Sequence, residues 1–166
     1  MFEDLVNFII FILPCYVANA TPVALSKIIP MKNPIDRGKK FIDGRRILGD
    51  GKTIEGFISG VIVGTLVGLI LSFLGLHKLH VSFMLALGAM IGDSLGSFIK
   101  RRVGIPRGKP FPIVDQVSFV IISLILANAI VFIPMRFYLY AVIITPPLHL
   151  GTNFIAYLLK LKEVPW

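Results

Sequence analysis

The chain has 166 residues, 55% of them hydrophobic, and a formal net charge of +8. A mean hydropathy of +0.84 excludes an ordinary soluble domain, and basic residues clustered between apolar runs argue for a membrane protein rather than a nucleic-acid binder. The single cysteine, Cys15, excludes an internal disulfide and a cysteine-based metal site.

Apolar runs at about 5–29, 54–76, 81–99, 113–133 and 137–159 predict five membrane helices. Each approaches the roughly 20 residues that a span requires. The expected fold is an all-α integral membrane protein. It forms a single polytopic domain over 1–166, with polar loops at about 30–53 and 100–112. Seven Lys/Arg lie in 31–53, five in 100–112, and Lys160 and Lys162 follow the last run. The remaining connections hold only Lys78 and Arg136. The positive-inside bias then puts both basic loops and the C-terminus in the cytoplasm and the N-terminus outside.

The first run contains "VANA" at 17–20, which resembles a signal-peptide cleavage site. Glu3 and Asp4 stand where such a peptide is basic, so an uncleaved span is expected. Pro14 and Pro22 predict a bend or break in it. The loop that follows repeats Asp36, Asp43 and Asp50 every seven residues, as DRG, DGR and DGK. It ends in "LGDGKT" at 48–53, which looks like the end of a phosphate-binding P-loop. A P-loop needs glycine five positions before Gly51, and Arg46 is there instead. Taken alone, the phrase reads as a helix cap with basic anchoring. Lys52 and Thr53 at a helix N-terminus would still suit a phosphate.

The second run carries Gly56, Gly60, Gly64 and Gly68, and the third Gly88, Gly92 and Gly96. This spacing makes close-packing faces, expected to meet each other. The third run also holds Asp93, and a carboxylate inside a membrane span points to function. Ser97 and Lys100, four and seven residues on, share its helix face. Asp115, with Gln116 and Ser118, opens the fourth run near the same boundary. Two carboxylates without histidine or cysteine suit a hard cation such as Mg²⁺ held together with phosphates, whose oxygens the nearby Lys and Arg would contact. His77, His80 and His149 read as interfacial or packing residues. Asn128 and Asn153 read as interhelical hydrogen-bonding groups, and Asn19 as a possible cavity residue.

The blocks "DGRRILGDGKTIEGF", "GDSLGSFIKRR" and "VDQVSF", with "ANATP" and "PIDRGKKFIDG", together resemble the archaeal CDP-archaeol synthase family. That family is in turn similar to the phosphatidate cytidylyltransferases. The resemblance covers nearly the whole chain. It implies a Mg²⁺-dependent membrane enzyme that joins CTP to an isoprenoid-ether glycerol phosphate, giving CDP-archaeol in its unsaturated form and pyrophosphate, in archaeal phospholipid biosynthesis. It implies Asp93, Asp115 and Lys100 as catalytic residues, the two aspartates also as metal ligands. It implies Lys39, Asp43, Arg45, Arg46, Lys52, Thr53, Ser97 and Arg101 as CTP- or phosphate-binding residues. The implied site lies at the cytoplasmic face of the cell membrane, with no nucleic-acid partner. The bacterial enzymes have a "PGHGG"-like link before the second aspartate; here it is "RGKPFPIVD".

Two other classes fit less well. Enzymes that transfer head groups onto CDP-lipids need DGxxAR and a DxxxD pair, and "DGRRIL" and "GDSLGSF" fail both. A small ion-coupled transporter using Asp93 would carry polar residues across the membrane and an inverted repeat. Here the polar residues gather at one side.

Overall fold

The computed structural model describes residues 2–106 and 108–165. Its element order is α1 (Phe2–Leu25), α2 (Ile54–Phe73), α3 (Leu79–Arg102), α4 (Val114–Asn128) and α5 (Met135–Leu158). All are apolar. Four are long enough to cross a bilayer, and α4, at 15 residues, is shorter than its apolar run.

The broad pattern of runs becomes helices, but two expectations fail. The first is the break in α1. That helix runs through Pro14 and Pro22 as one element. Pro22 cannot donate to the carbonyl four residues back, that of Ala18. Gly60 of α2 closes over this carbonyl, where an added Cβ would stand 2.9 Å from it. Tight helix packing thus shields the defect instead of the chain breaking.

The second is the pairing of the glycine faces. They do not meet. Gly60 and Gly64 pack against Ala18 and Pro14 of α1 and against Met90 and Ala86 of α3, while Gly68 meets Ser82. Gly88 and Gly92 face α4 instead: a Cβ on either would come within 2.5 Å of backbone atoms of Ser123 or Ser118. The third helix packs against α1, α2 and α4 and turns its glycines to α4, while α2 turns its own to α1 and α3. In lipid no hydrophobic force joins helices, so close backbone approach must supply the attraction. Ser123 adds a buried hydrogen bond to the Leu85 carbonyl at 2.8 Å. Such bonds contribute only about 0.6 kcal/mol on average, so close packing dominates.

Phe8, Ile12, Cys15 and Ala18 of α1 form one core with Leu85, Ala86, Val120, Leu124 and Ala141. The first helix is therefore built into the bundle. α5 packs against α4 and α1, with Tyr16 Oη and Thr145 Oγ1 2.9 Å apart.

The two ends of the bundle differ. At one, Arg136 pairs with Asp4 at 3.2 Å and His77 Nε2 lies 3.0 Å from the Phe11 carbonyl. Asn128 serves this end too. Its side chain accepts from Ile133 N–H at 2.9 Å, closing the α4–α5 connection rather than bonding between helices. The other end gathers the two basic loops and the segment after α5.

Candidate functional site

The loop from 30 to 53 is folded around Asp36. Its fully buried carboxylate accepts from Arg46 Nη2 at 2.6 Å and Nε at 3.2 Å. It also accepts from the backbone N–H groups of Leu48 and Gly49 at 2.9 Å and Gly38 at 3.1 Å. Arg46, and then those backbone donors, hold its carboxyl well below the usual range. Antiparallel bridges Pro34–Thr53 and Lys40–Arg46 close the base and the tip of the loop.

The three repeated aspartates do three different things. Asp36 organises the loop. Asp43 pairs with Arg102 at 2.8 Å, and Asp50 with Arg46 at 2.8 Å. Arg102 also donates to the Arg46 carbonyl and lies over the rings of Phe41 and Phe98. Arg45 donates to the carbonyls of Arg101 and Arg102, satisfying the C-terminus of α3. These contacts dock the loop onto α3.

Docking aims the loop's last residues. Thr53 caps α2, its Oγ1 accepting from Gly56 N–H at 3.1 Å. Lys52 reaches from just before that cap to Asp93 on α3, with Nζ 2.5 Å from Oδ2. A second pair stands alongside. Lys100 Nζ lies 2.7 Å from Asp115 Oδ2 and donates to the Lys109 carbonyl at 2.7 Å. Asp115 also accepts from Phe111 N–H at 2.9 Å. Just before it, Ile113 has φ 69, a strained conformation for a β-branched residue.

Both pairs line one cavity of about 1000 Å³. Ser97 joins Asp93 and Lys100 on the α3 wall, as the helical spacing predicts, and Ser94 lines the cavity too. Thr53 and Asp50 come from the loop, and Gln116 from α4. The first and fifth helices complete it with Tyr16, Asn19, His149 and Asn153. His149 is 3.2 Å from Asn153 through Nδ1, so that amide bonds within α5. The segment beyond α5 adds Lys162.

Of the residues expected to bind CTP or phosphate, Lys52, Thr53 and Ser97 line the cavity together with Asp93, Asp115 and Lys100. Lys39 is exposed on the loop. Asp43, Arg45 and Arg46 serve the loop and its docking, and Arg101 gives its carbonyl to Arg45. None of these five lines the cavity. Arg46 pairs with Asp36 and Asp50, Arg45 with the carbonyls that end α3, and Asp43 with Arg102. Lys162 was not singled out from the sequence, where it read only as topological charge.

Asp93, Asp115, Ser94, Ser97 and Gln116 bring side-chain oxygens to the cavity. Among the described residues no group of three or more His, Cys, Asp or Glu is placed to hold a metal. Two carboxylates with hydroxyl neighbours fit Mg²⁺ provided that substrate phosphates and water complete its shell.

A bundle of apolar helices around an ion-paired, hydroxyl-lined cavity is the architecture of an intramembrane enzyme. It is similar to a solved structure of an intramembrane enzyme for archaeal membrane lipids biosynthesis, with TM-score 0.78 and 40% identity over 87% of this chain and 91% of that one. The chain is 46% identical over 164 residues to the CDP-archaeol synthase of Pyrococcus horikoshii, covering 94% of each. It is 47% identical over 165 residues to that of Pyrobaculum islandicum, covering 98% of this chain and 99% of the relative. Residues 1–166 match the CarS-like family, described as CDP-archaeol synthase, and the chain belongs to that family.

Proposed function

We propose that this chain is the membrane cytidylyltransferase that joins CTP to an isoprenoid-ether glycerol phosphate, releasing pyrophosphate and the CDP-activated lipid. The observation that carries the reading is the pair of carboxylate–lysine contacts, Lys52–Asp93 and Lys100–Asp115, opening onto one cavity at the basic end of the bundle. Family membership supports it, and no finding supports the transporter reading.

The lipid phosphate oxygen is already ionised near neutral pH and needs no general base. It attacks the α-phosphorus of CTP. The bond from that phosphorus to the bridging oxygen breaks, and pyrophosphate leaves with the electron pair. The main obstacle is charge, since a phosphate monoester must approach a triphosphate. Lys52 and Lys100 are placed to exchange a carboxylate partner for phosphate oxygens, and the hydroxyls of Ser94 and Ser97 can donate to the same anions. Asp93 and Asp115 would hold Mg²⁺, which when bound neutralises and orients phosphate oxygens.

The same reading gives the chain five spans, with the N-terminus outside and the C-terminus and active site cytoplasmic. The charge bias supports this, as does the meeting of both basic loops and the terminal segment at one end. The test is CTP-dependent pyrophosphate release by the purified protein in lipid. The isoprenoid-ether phosphate should work best, diacyl phosphatidic acid less well, and water-soluble glycerol phosphate hardly at all. Equal rates with glycerol phosphate would defeat the reading.

A further inference from the structure

The residues after α5 form a defined turn. Lys160 N–H donates to the Tyr157 carbonyl and Leu161 N–H to the Ala156 carbonyl, both at 2.9 Å. This is the two-bond reversal that ends many helices, and its left-handed position normally belongs to glycine. Lys160 occupies it with φ 57. Beyond the turn, Leu161, Lys162, Glu163 and Val164 line the same cavity as the two aspartates.

Lys162 is one of four lysines that line that cavity, with Lys52, Lys100 and Lys109. Lys52 reaches it from the loop before α2 and Lys100 from α3, whereas Lys162 arrives from the α5 side. Burial lowers the pKa of its ammonium, and the charges acting on it are, in order, Asp115, Lys52, Asp93 and Lys100. Those four groups are the two ion pairs of the site. Glu163 and Asp50 also line the cavity, so Lys162 does not make it uniformly positive. It adds a cationic group to a wall whose other polar residues are Thr145, His149, Thr152, Asn153 and Glu163.

We propose that Lys162 is a phosphate-binding residue of the transfer reaction, its ammonium contacting phosphate oxygens of a substrate from the wall formed by α5 and the segment after it. The proposal rests on the cytidylyltransferase reading above. The shared chemistry is a phosphate group, carried either by CTP or by the lipid.

The experiment compares full-length wild type, Lys162→Ala, Lys162→Arg and Lys160→Gly in lipid nanodiscs. Lys160→Gly removes a neighbouring charge at a position whose backbone suits glycine. The KM for CTP is measured at saturating lipid phosphate, and the KM for lipid phosphate at saturating CTP. Lys162→Ala should raise one of them at least tenfold, and the one that rises identifies the source of the phosphate. Lys162→Arg should recover most of the loss, and Lys160→Gly should stay within twofold of wild type. A second measurement needs no turnover and no variant. An amine-reactive reagent should modify Lys162 of the wild type several-fold more slowly in the presence of CTP, of the isoprenoid-ether phosphate or of inorganic pyrophosphate. Unchanged KM values in Lys162→Ala, or equal labelling with and without all three ligands, overturns the proposal. Absence of CTP-dependent pyrophosphate release by the wild type instead sinks the functional reading, and the labelling then decides Lys162 alone.

Discussion

Lys52 and Asp93 are 41 residues apart in sequence and 2.5 Å apart in the fold. The contact joins the entrance of α2 to the cavity wall of α3. It resolves the phrase "LGDGKT". Thr53 caps a helix, as the plainer interpretation expects, and the lysine beside it reaches the intramembrane carboxylate.

Removing that lysine should cost chemistry more than folding. Lys52→Ala should lower CTP-dependent turnover by roughly 10²-fold, the scale of one lost electrostatic contact to a reacting group. Insertion should persist, because the other basic residues of the loop keep the charge bias. Steady-state kinetics of protein recovered from membranes at normal yield would check both halves.

The aspartates should be less forgiving. Asp93→Asn and Asp115→Asn are each expected to cut pyrophosphate release by about 10³-fold or more while the protein remains folded, since each variant keeps shape and loses only charge. Near-normal activity in either one, with an unchanged melting curve, would take that residue out of the metal site.

How much of this could be read from residues alone depends on range. Asp93, Ser97 and Lys100 were legible because a helix's 3.6-residue period puts them on one face. The ion pairs of Asp93 and Asp115 were not legible, because tertiary structure brings Lys52 to Asp93 and Asp115 to Lys100. The repeated DRG, DGR and DGK looked alike, yet the structure gives each aspartate a different role: Asp36 and Asp50 share Arg46, the first buried at the loop's centre, and Asp43 takes Arg102. Asp43, Arg45 and Arg46 stood out by charge and motif, but their contacts within the loop and with α3 come from tertiary structure and were not legible. Lys162 was invisible as a site residue, because nothing local distinguishes it from Lys160. The glycine spacing predicted close packing but not the partner helix, which a periodic pattern does not encode.

Acid should loosen the loop at Asp36. Its folded pKa is depressed, so its contribution is full above the unfolded value of about 3.9 and is lost as pH falls toward the lower folded value. Hydrogen exchange across 33–53 should therefore rise below about pH 4. Asp36→Asn should show the same opening at neutral pH. Arg46→Ala, which leaves the buried Asp36 carboxylate only its backbone donors, should loosen the loop and weaken CTP use indirectly. An unaltered exchange pattern in both variants would exclude this role.

Gly92→Ala tests the contact between α3 and α4. The new Cβ would stand 2.5 Å from the Ser118 carbonyl oxygen, a backbone atom with little freedom to move. A loss of about 1–3 kcal/mol is expected, visible as a lower unfolding temperature in detergent. Gly151, where a Cβ meets nothing, should accept alanine without such a shift. Equal melting of the two variants would contradict the packing account.

Topology is open to direct labelling. In a Cys15→Ala background, a thiol introduced by Lys40→Cys should react with an impermeant reagent only after the membrane is opened. Labelling from outside intact cells would invert the assignment.

The short fourth helix has a consequence for the lipid itself. Fifteen residues rise about 22 Å, against a hydrocarbon thickness of about 30 Å. A bilayer meeting so short a segment relieves the mismatch partly by thinning around it. The depression would form beside the helix that carries Asp115. Head groups of nearby lipids would then sit closer to the carboxylates than on a flat membrane, and a two-chain substrate could present its phosphate without leaving the bilayer. Thicker host membranes should therefore raise the KM for the lipid while leaving the KM for CTP unchanged.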